Sequence, residues 1–106
     1  EVVIDDGYPV LENDPGATEY VRRVAAHTMT PVDIAPVMGG EDFAFYAQQV
    51  PASFVALGVR PVDRDTYPSL HQADYDFHAG AIPLGVALPV DIVRRFWREG
   101  PRSSVA

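Results

Sequence analysis

The 106-residue chain contains no cysteine and no lysine. The first absence excludes disulfides and thiolate metal sites. The second leaves arginine to carry all the positive charge, 8 residues against 15 acids, for a net charge of −7. Nucleic acid and anionic membrane surfaces reward basic patches, so this balance argues against both as partners. No apolar run approaches the ~20 residues of a membrane span, and the N-terminus, Glu1-Val2-Val3-Ile4-Asp5-Asp6, is not a signal peptide. The expected location is the cytoplasm, although for a fragment the lack of a signal peptide says nothing about export of the parent. Internal repeats and low-complexity segments are also lacking. What remains is a chain with an ordinary apolar fraction, 47%, long enough for one domain or part of one with a small core.

In chain order, Val2, Val3 and Ile4 suggest a β-strand that closes at Gly7-Tyr8-Pro9. Asp14-Pro15 reads as an N-cap followed by proline at the first helical position. Val21, Val24, Ala25 and Thr28 continue at helical spacing, and Pro31 forces a stop. Residues 32–37 suggest a strand near an edge, because Pro36 lies in it. Residues 53–59 have the short, continuously apolar look of a strand buried on both faces. Residues 60–69 are rich in Pro, Asp and Arg and predict a surface loop. Residues 80–98 form the longest helical pattern, with Leu84, Ala87, Leu88 and Ile92 as one stripe and Pro89 placed to kink or split it. Alternating strands and helices predict an α/β layer with a partly parallel sheet flanked by helices.

The chain is organised around Met38-Gly39-Gly40-Glu41-Asp42-Phe43-Ala44-Phe45-Tyr46. The glycines allow tight turning or close approach to a ligand. The acids suit the first turn of a helix, and the residues after them predict a helix apolar nearly all round, hence buried. This stretch resembles the signature of the zinc-dependent amidohydrolases that include hippurate hydrolase, auxin-conjugate hydrolase and N-acyl-amino-acid amidohydrolase. Gly7-Tyr8-Pro9 with Asn13-Asp14, Phe54-Val55-Ala56-Leu57-Gly58, and Leu70-His71 through Asp76-Phe77 agree in the same order.

The resemblance implies the C-terminal part of a metallopeptidase-like catalytic domain. Residues 1–10 would end a lid-domain strand and form a hinge, residues 11–98 would belong to the catalytic domain, and residues 99–106 would be a flexible tail. It implies that His71 is a ligand in a two-metal site for zinc, manganese or cobalt. It also implies that Gly39, Gly40 and Asn13 face the substrate, an N-acyl amino acid or related conjugate. Gly39 and Gly40 equally suit a tight turn, Asp14 a helix cap, and Glu41 and Asp42 a helix start. Phe43, Phe45, Tyr46, Phe54 and Phe77 read as core rather than as an acyl pocket, and His27 as a helix-end residue. This sequence departs from the family pattern after His71, where Gln72-Ala73 replaces Ser or Thr and Pro, and at His78, where Asn or Asp is usual.

Related enzymes also carry a His-x-Asp or Cys-x-His pair and a Glu-Glu pair containing the general base. Neither pattern occurs here, so no catalytic residue is assigned and the chain is expected to be inactive alone. Its expected partners are the N-terminal part of the enzyme and a second copy in a homodimer. Two rival readings exist. One is a diverged, non-catalytic module that associates with another chain through apolar surface. The other is a small zinc protein in which His71, Asp74 and His78 share one helical face.

Overall fold

The computed structural model describes residues 1–99, which contain three helices and no strand. They divide into two compact units, Glu1–Val55 and a second beginning at Ala56. The tail expected at 99–106 lies outside the described residues, apart from Glu99 at the end of the last helix.

In the first unit, helix α1 (Pro15–Ala25) begins where the sequence predicts. Asp14 is the N-cap, extended at φ −65° and ψ 129°, and its Oδ1 accepts the Ala17 N–H at 2.7 Å. This satisfies one of the donors that a helix start leaves unpaired. The basic residues Arg22 and Arg23 lie in the last turn, where they complement the helix dipole. Arg22 also pairs with Asp33 in the segment that follows. Turns carry the chain on to Met29, whose N–H reaches the Ala25 carbonyl at 2.9 Å. Of the expected stripe, Val24 and Ala25 are buried and Val21 is half-buried, whereas Thr28, beyond the end of the helix, is exposed.

Helix α2 (Ala44–Ala47) corrects the expectation of a buried helix after Gly39-Gly40. It is a single turn, and only Ala44 is fully buried, while Phe45 and Tyr46 are 51% and 67% exposed. One turn presents too little surface to bury aromatic residues on every side. Its start is held by the Glu41 carboxylate, which accepts the Phe43 N–H at 3.1 Å.

In the second unit, helix α3 (Ala81–Glu99) runs through Pro89 as one element, so the expected split does not occur. Proline removes the N–H that would meet the Gly85 carbonyl and its ring crowds that carbonyl, a local cost that the rest of the helix outweighs. Pro83 lies in the first turn, where N–H groups lack helical acceptors in any case. Leu57 touches the helix at Gly85: a Cβ there would lie 3.2 Å from Leu57 Cδ2.

The expected α/β architecture is overturned, since no described residue lies in a strand or sheet. Residues 2–4, 32–37 and 53–59 lack helical structure but form no ladder with a neighbouring strand. Strand propensity comes from β-branched side chains, whereas a strand exists only when a second one takes its N–H and C=O groups. Among the described residues, the backbone bonds joining distant parts of the chain are isolated. They run from Asp14 N–H to Ala52 C=O at 2.9 Å and from His78 N–H to Val59 C=O at 2.8 Å. The buried apolar residues are correspondingly few and small: Val24, Ala25, Ala44 and Ala81.

Candidate functional site

The first unit brings together motifs that are distant in the sequence. Gly40 lies under the ring of Tyr8, whose Cδ2 would be 3.0 Å from a Cβ at that position. A Cβ there would press on the ring, so glycine allows this approach without a shift of Tyr8. The Tyr8 ring in turn meets Phe45 edge-on, with centroids 6.0 Å apart. Gly39 has open space around its Cα. Tyr8 was not singled out as a site residue by sequence reasoning. The signal for it was the Gly7-Tyr8-Pro9 motif, which gives no hint of its contact with Gly40.

Asn13 is held by a different device. Its Nδ2 donates to the Phe54 carbonyl at 2.9 Å, and its Oδ1 accepts the Phe54 N–H at 2.7 Å. The carboxamide thereby stands in for a peptide group opposite Phe54. It retains one N–H and one lone pair for any further partner. Asn13 also lines an open cleft of about 680 Å3, with Glu12, Asp14, Gln48 and Gln49 among its other walls; Gly39 and Gly40 do not line it. Phe43 stacks at a tilt on Tyr46 and on Phe54, with centroids 5.8 and 5.4 Å apart. These aromatic residues brace the turn, but Tyr46 and Phe54 stay 67% and 42% exposed, so the expected core role holds only in part.

His71 belongs to the second unit. The loop that carries it is closed at its neck by the His78 N–H to Val59 C=O bond. Within the loop, Arg60 donates to the Arg64 carbonyl. Two successive turns follow: Gln72 N–H to Ser69 C=O at 3.3 Å, and Tyr75 N–H to Gln72 C=O at 3.1 Å. His71 is the third residue of the first turn, at φ 66°, and no other non-glycine described residue has positive φ. That position of a type II turn calls for left-handed backbone, which favours glycine or asparagine. A histidine held there at a steric cost of about 1–3 kcal/mol is a feature that clusters at functional sites. The imidazole of His71 is exposed.

Tyr67 and Asp76 face each other within this loop. The Tyr67 phenol is held above its ordinary pKa, first by partial loss of water around it and then by the Asp76 carboxylate within hydrogen-bonding reach. Asp76 Oδ1 also accepts the Phe77 N–H at 2.8 Å.

Zinc in proteins takes three or four protein ligands in fixed geometry. Among the described residues no three His, Asp or Glu side chains converge on a point that could hold a metal. His71, Asp74 and His78 are exposed and lie in turns, so the helical spacing that would gather them is absent. The residues present therefore do not form a complete metal shell, and His71 offers one donor.

Comparison with known proteins agrees with these motifs. Residues 1–95 match the sequence profile of peptidase family M20/M25/M40. YhaA of Bacillus subtilis, named as an amidohydrolase, is 33% identical over 85 residues, covering 77% of this chain and 22% of the relative. The IAA-amino acid hydrolase ILR1-like 4 of Arabidopsis thaliana is 26% identical over 95 residues, covering 87% and 22%. Thermostable carboxypeptidase 2 of Saccharolobus solfataricus is 28% identical over 82 residues, covering 77% and 21%. The chain thus spans about a fifth of the length of these curated relatives. No solved structure matches it. With its motifs in order and nearly its whole length matched, the chain belongs to peptidase family M20/M25/M40.

Proposed function

We propose that this chain is the C-terminal portion of a metal-dependent amidohydrolase that cleaves the amide bond of N-acyl amino acids or related conjugates. The observation that carries the reading is His71. The resemblance would make its Leu-His position a metal-ligand position, and its backbone is held left-handed at the turn of a loop closed at its neck. Relatives named as an amidohydrolase and an IAA-amino acid hydrolase support the amide substrate.

In this reading His71 would help to hold a divalent ion, zinc, manganese or cobalt, which would supply activation of water and polarisation of the scissile carbonyl. His71 supplies one ligand, and the general base and the remaining ligands belong to an N-terminal part of the enzyme. Gly39 and Gly40 provide backbone against the substrate, with the Tyr8 ring fixing the position of Gly40. Asn13 supports that wall through Phe54 and offers its remaining N–H to the substrate. In this reading the 106-residue chain alone would be inactive, because the His-x-Asp and Glu-Glu motifs that supply the general base and further ligands do not occur in it.

The test has two arms. The purified chain, with zinc or manganese added, should release no amino acid from N-acetyl or N-benzoyl amino acids. In an enzyme that joins this segment to the His-x-Asp and Glu-Glu motifs, His71→Ala should lower kcat at least a hundredfold and reduce bound metal. His27→Ala should leave both nearly unchanged. Metal-dependent turnover by the chain alone, or equal activity of the two mutants, would overturn the proposal.

A further inference from the structure

A left-handed residue other than glycine persists only where the structure around it over-determines its backbone. His71 is such a residue, at φ 66°, and its exposed imidazole draws no support from packing. The Ser69–Gln72 turn bond that encloses it is long, at 3.3 Å. The Val59–His78 bond at the neck of the loop lies twelve residues away on one side and seven on the other. Tyr67 and Asp76 provide a closer restraint. They stand four residues before His71 and five after it, so the segment they enclose has His71 near its middle.

The Tyr67 hydroxyl donates to the Asp76 carboxylate, which lies within hydrogen-bonding reach of it. A hydrogen bond to an ionised acceptor is stronger than one between neutral groups. Both ends of the contact are anchored. Tyr67 is half-buried and precedes Pro68, whose ring restricts the Tyr67 backbone to extended conformations. Asp76 Oδ1 accepts the Phe77 N–H at 2.8 Å, which ties the carboxylate to its own backbone. The rings of Tyr75 and Phe77, on either side of Asp76 in sequence, stack with centroids 6.5 Å apart and planes at 28°. Next along the chain, the His78 N–H meets the Val59 carbonyl at 2.8 Å. The carboxylate is therefore presented by the fixed stem of the loop, and the phenol ties the other end of the His71 segment to it.

We propose that the Tyr67–Asp76 hydrogen bond is a clasp that holds His71 in its left-handed turn and so fixes where the imidazole is presented. Tyr67 and Asp76 are then positioning residues, acting through His71 without touching substrate. The clasp stands on the loop alone, whereas its bearing on turnover rests on the proposed function, in which His71 is a ligand. A ligand oriented by hydrogen-bonded neighbours needs no reorganisation when it is used, and loss of such neighbours typically costs about tenfold or more in activity.

Amide hydrogen exchange in the 106-residue chain reads the clasp by itself. Tyr67→Phe removes the hydroxyl and keeps the ring, so exchange at Gln72 and Tyr75 should quicken about two- to tenfold, while His78 and the amides of α3 stay unchanged. Asp76→Ala should have a larger effect, because the Phe77 N–H loses its acceptor as well. Asp76→Asn should stay near wild type, since its carboxamide accepts the Phe77 N–H through oxygen and donates to the phenol through nitrogen. The backbone carbon shifts of His71 should leave left-handed values in Tyr67→Phe and Asp76→Ala only. Unchanged exchange at Gln72 and Tyr75 in Tyr67→Phe, or equal quickening at His78 and along α3, would overturn the clasp. In an enzyme that joins this segment to the His-x-Asp and Glu-Glu motifs, Tyr67→Phe should lower kcat about tenfold with little change in KM, and Asp76→Asn should not. Full kcat in Tyr67→Phe, where His71→Ala is inactive, would overturn the positioning role. Full kcat in His71→Ala would instead overturn the proposed function, with the clasp then decided by exchange alone.

Discussion

Replacing Asn13 by alanine tests its structural support of Phe54, at a residue that the proposed function sets against the substrate. Its carboxamide makes two hydrogen bonds to Phe54, at 2.9 and 2.7 Å, both exposed. A typical intramolecular hydrogen bond contributes about 0.5–1.5 kcal/mol net. Water can reach the Phe54 groups once Asn13 is gone, so no buried orphan remains and the combined loss should be about 1–2 kcal/mol. The adjacent Asp14 N–H to Ala52 C=O bond should persist but open more often. The assay is amide hydrogen exchange at Phe54 in the labelled chain. A loss of that size corresponds to exchange about 5- to 30-fold faster. Asn13→Asp keeps the acceptor for the Phe54 N–H and loses the donor, so it should fall between wild type and Asn13→Ala. Phe54 exchange unchanged in Asn13→Ala would refute the supporting role.

Other consequences are as direct. Asp14→Ala removes the only side-chain cap seen on α1 and should cost about 1 kcal/mol, read as lower helicity by circular dichroism and an earlier urea midpoint. Tyr67 should titrate above the ordinary tyrosine range in an absorbance titration at alkaline pH, and Tyr67→Phe should remove that phenolate. Its pKa is raised on folding, so the stabilisation is complete below the unfolded tyrosine value and is lost as pH rises through the folded one. In Tyr67→Phe this alkaline contribution should disappear from the pH dependence of stability.

The helices were legible in the sequence because their signals are local. Asp14-Pro15 names the start of α1 without reference to anything else in the chain. The apolar repeat through residues 81–99 outweighs Pro89, whose cost is local. The strands the sequence suggested do not form among the described residues, because β-branched runs such as Val2-Val3-Ile4 state a preference that only a partner can satisfy. Phe43 to Ala47 misled in another way: apolar residues all round imply burial for a long helix, and α2 is one turn. The site was legible as motifs but not as contacts. No local signal reveals that Tyr8 covers Gly40 or that Asn13 pairs with Phe54, since each pair is separated by about thirty to forty residues of sequence. Nor does Leu70-His71 announce a left-handed residue, where glycine or asparagine would have done so.

The central claim is that His71 is one ligand of a metal site shared with residues outside this chain. Calorimetric titration of zinc into the 106-residue chain tests it most directly. A single neutral histidine holds zinc weakly, because affinity comes from three or four ligands acting together. The account predicts only the weak heat of scattered surface histidines, unchanged in His78→Ala. One zinc bound per chain, and lost when His71, Asp74 or His78 is replaced, would contradict it and establish a self-contained site instead.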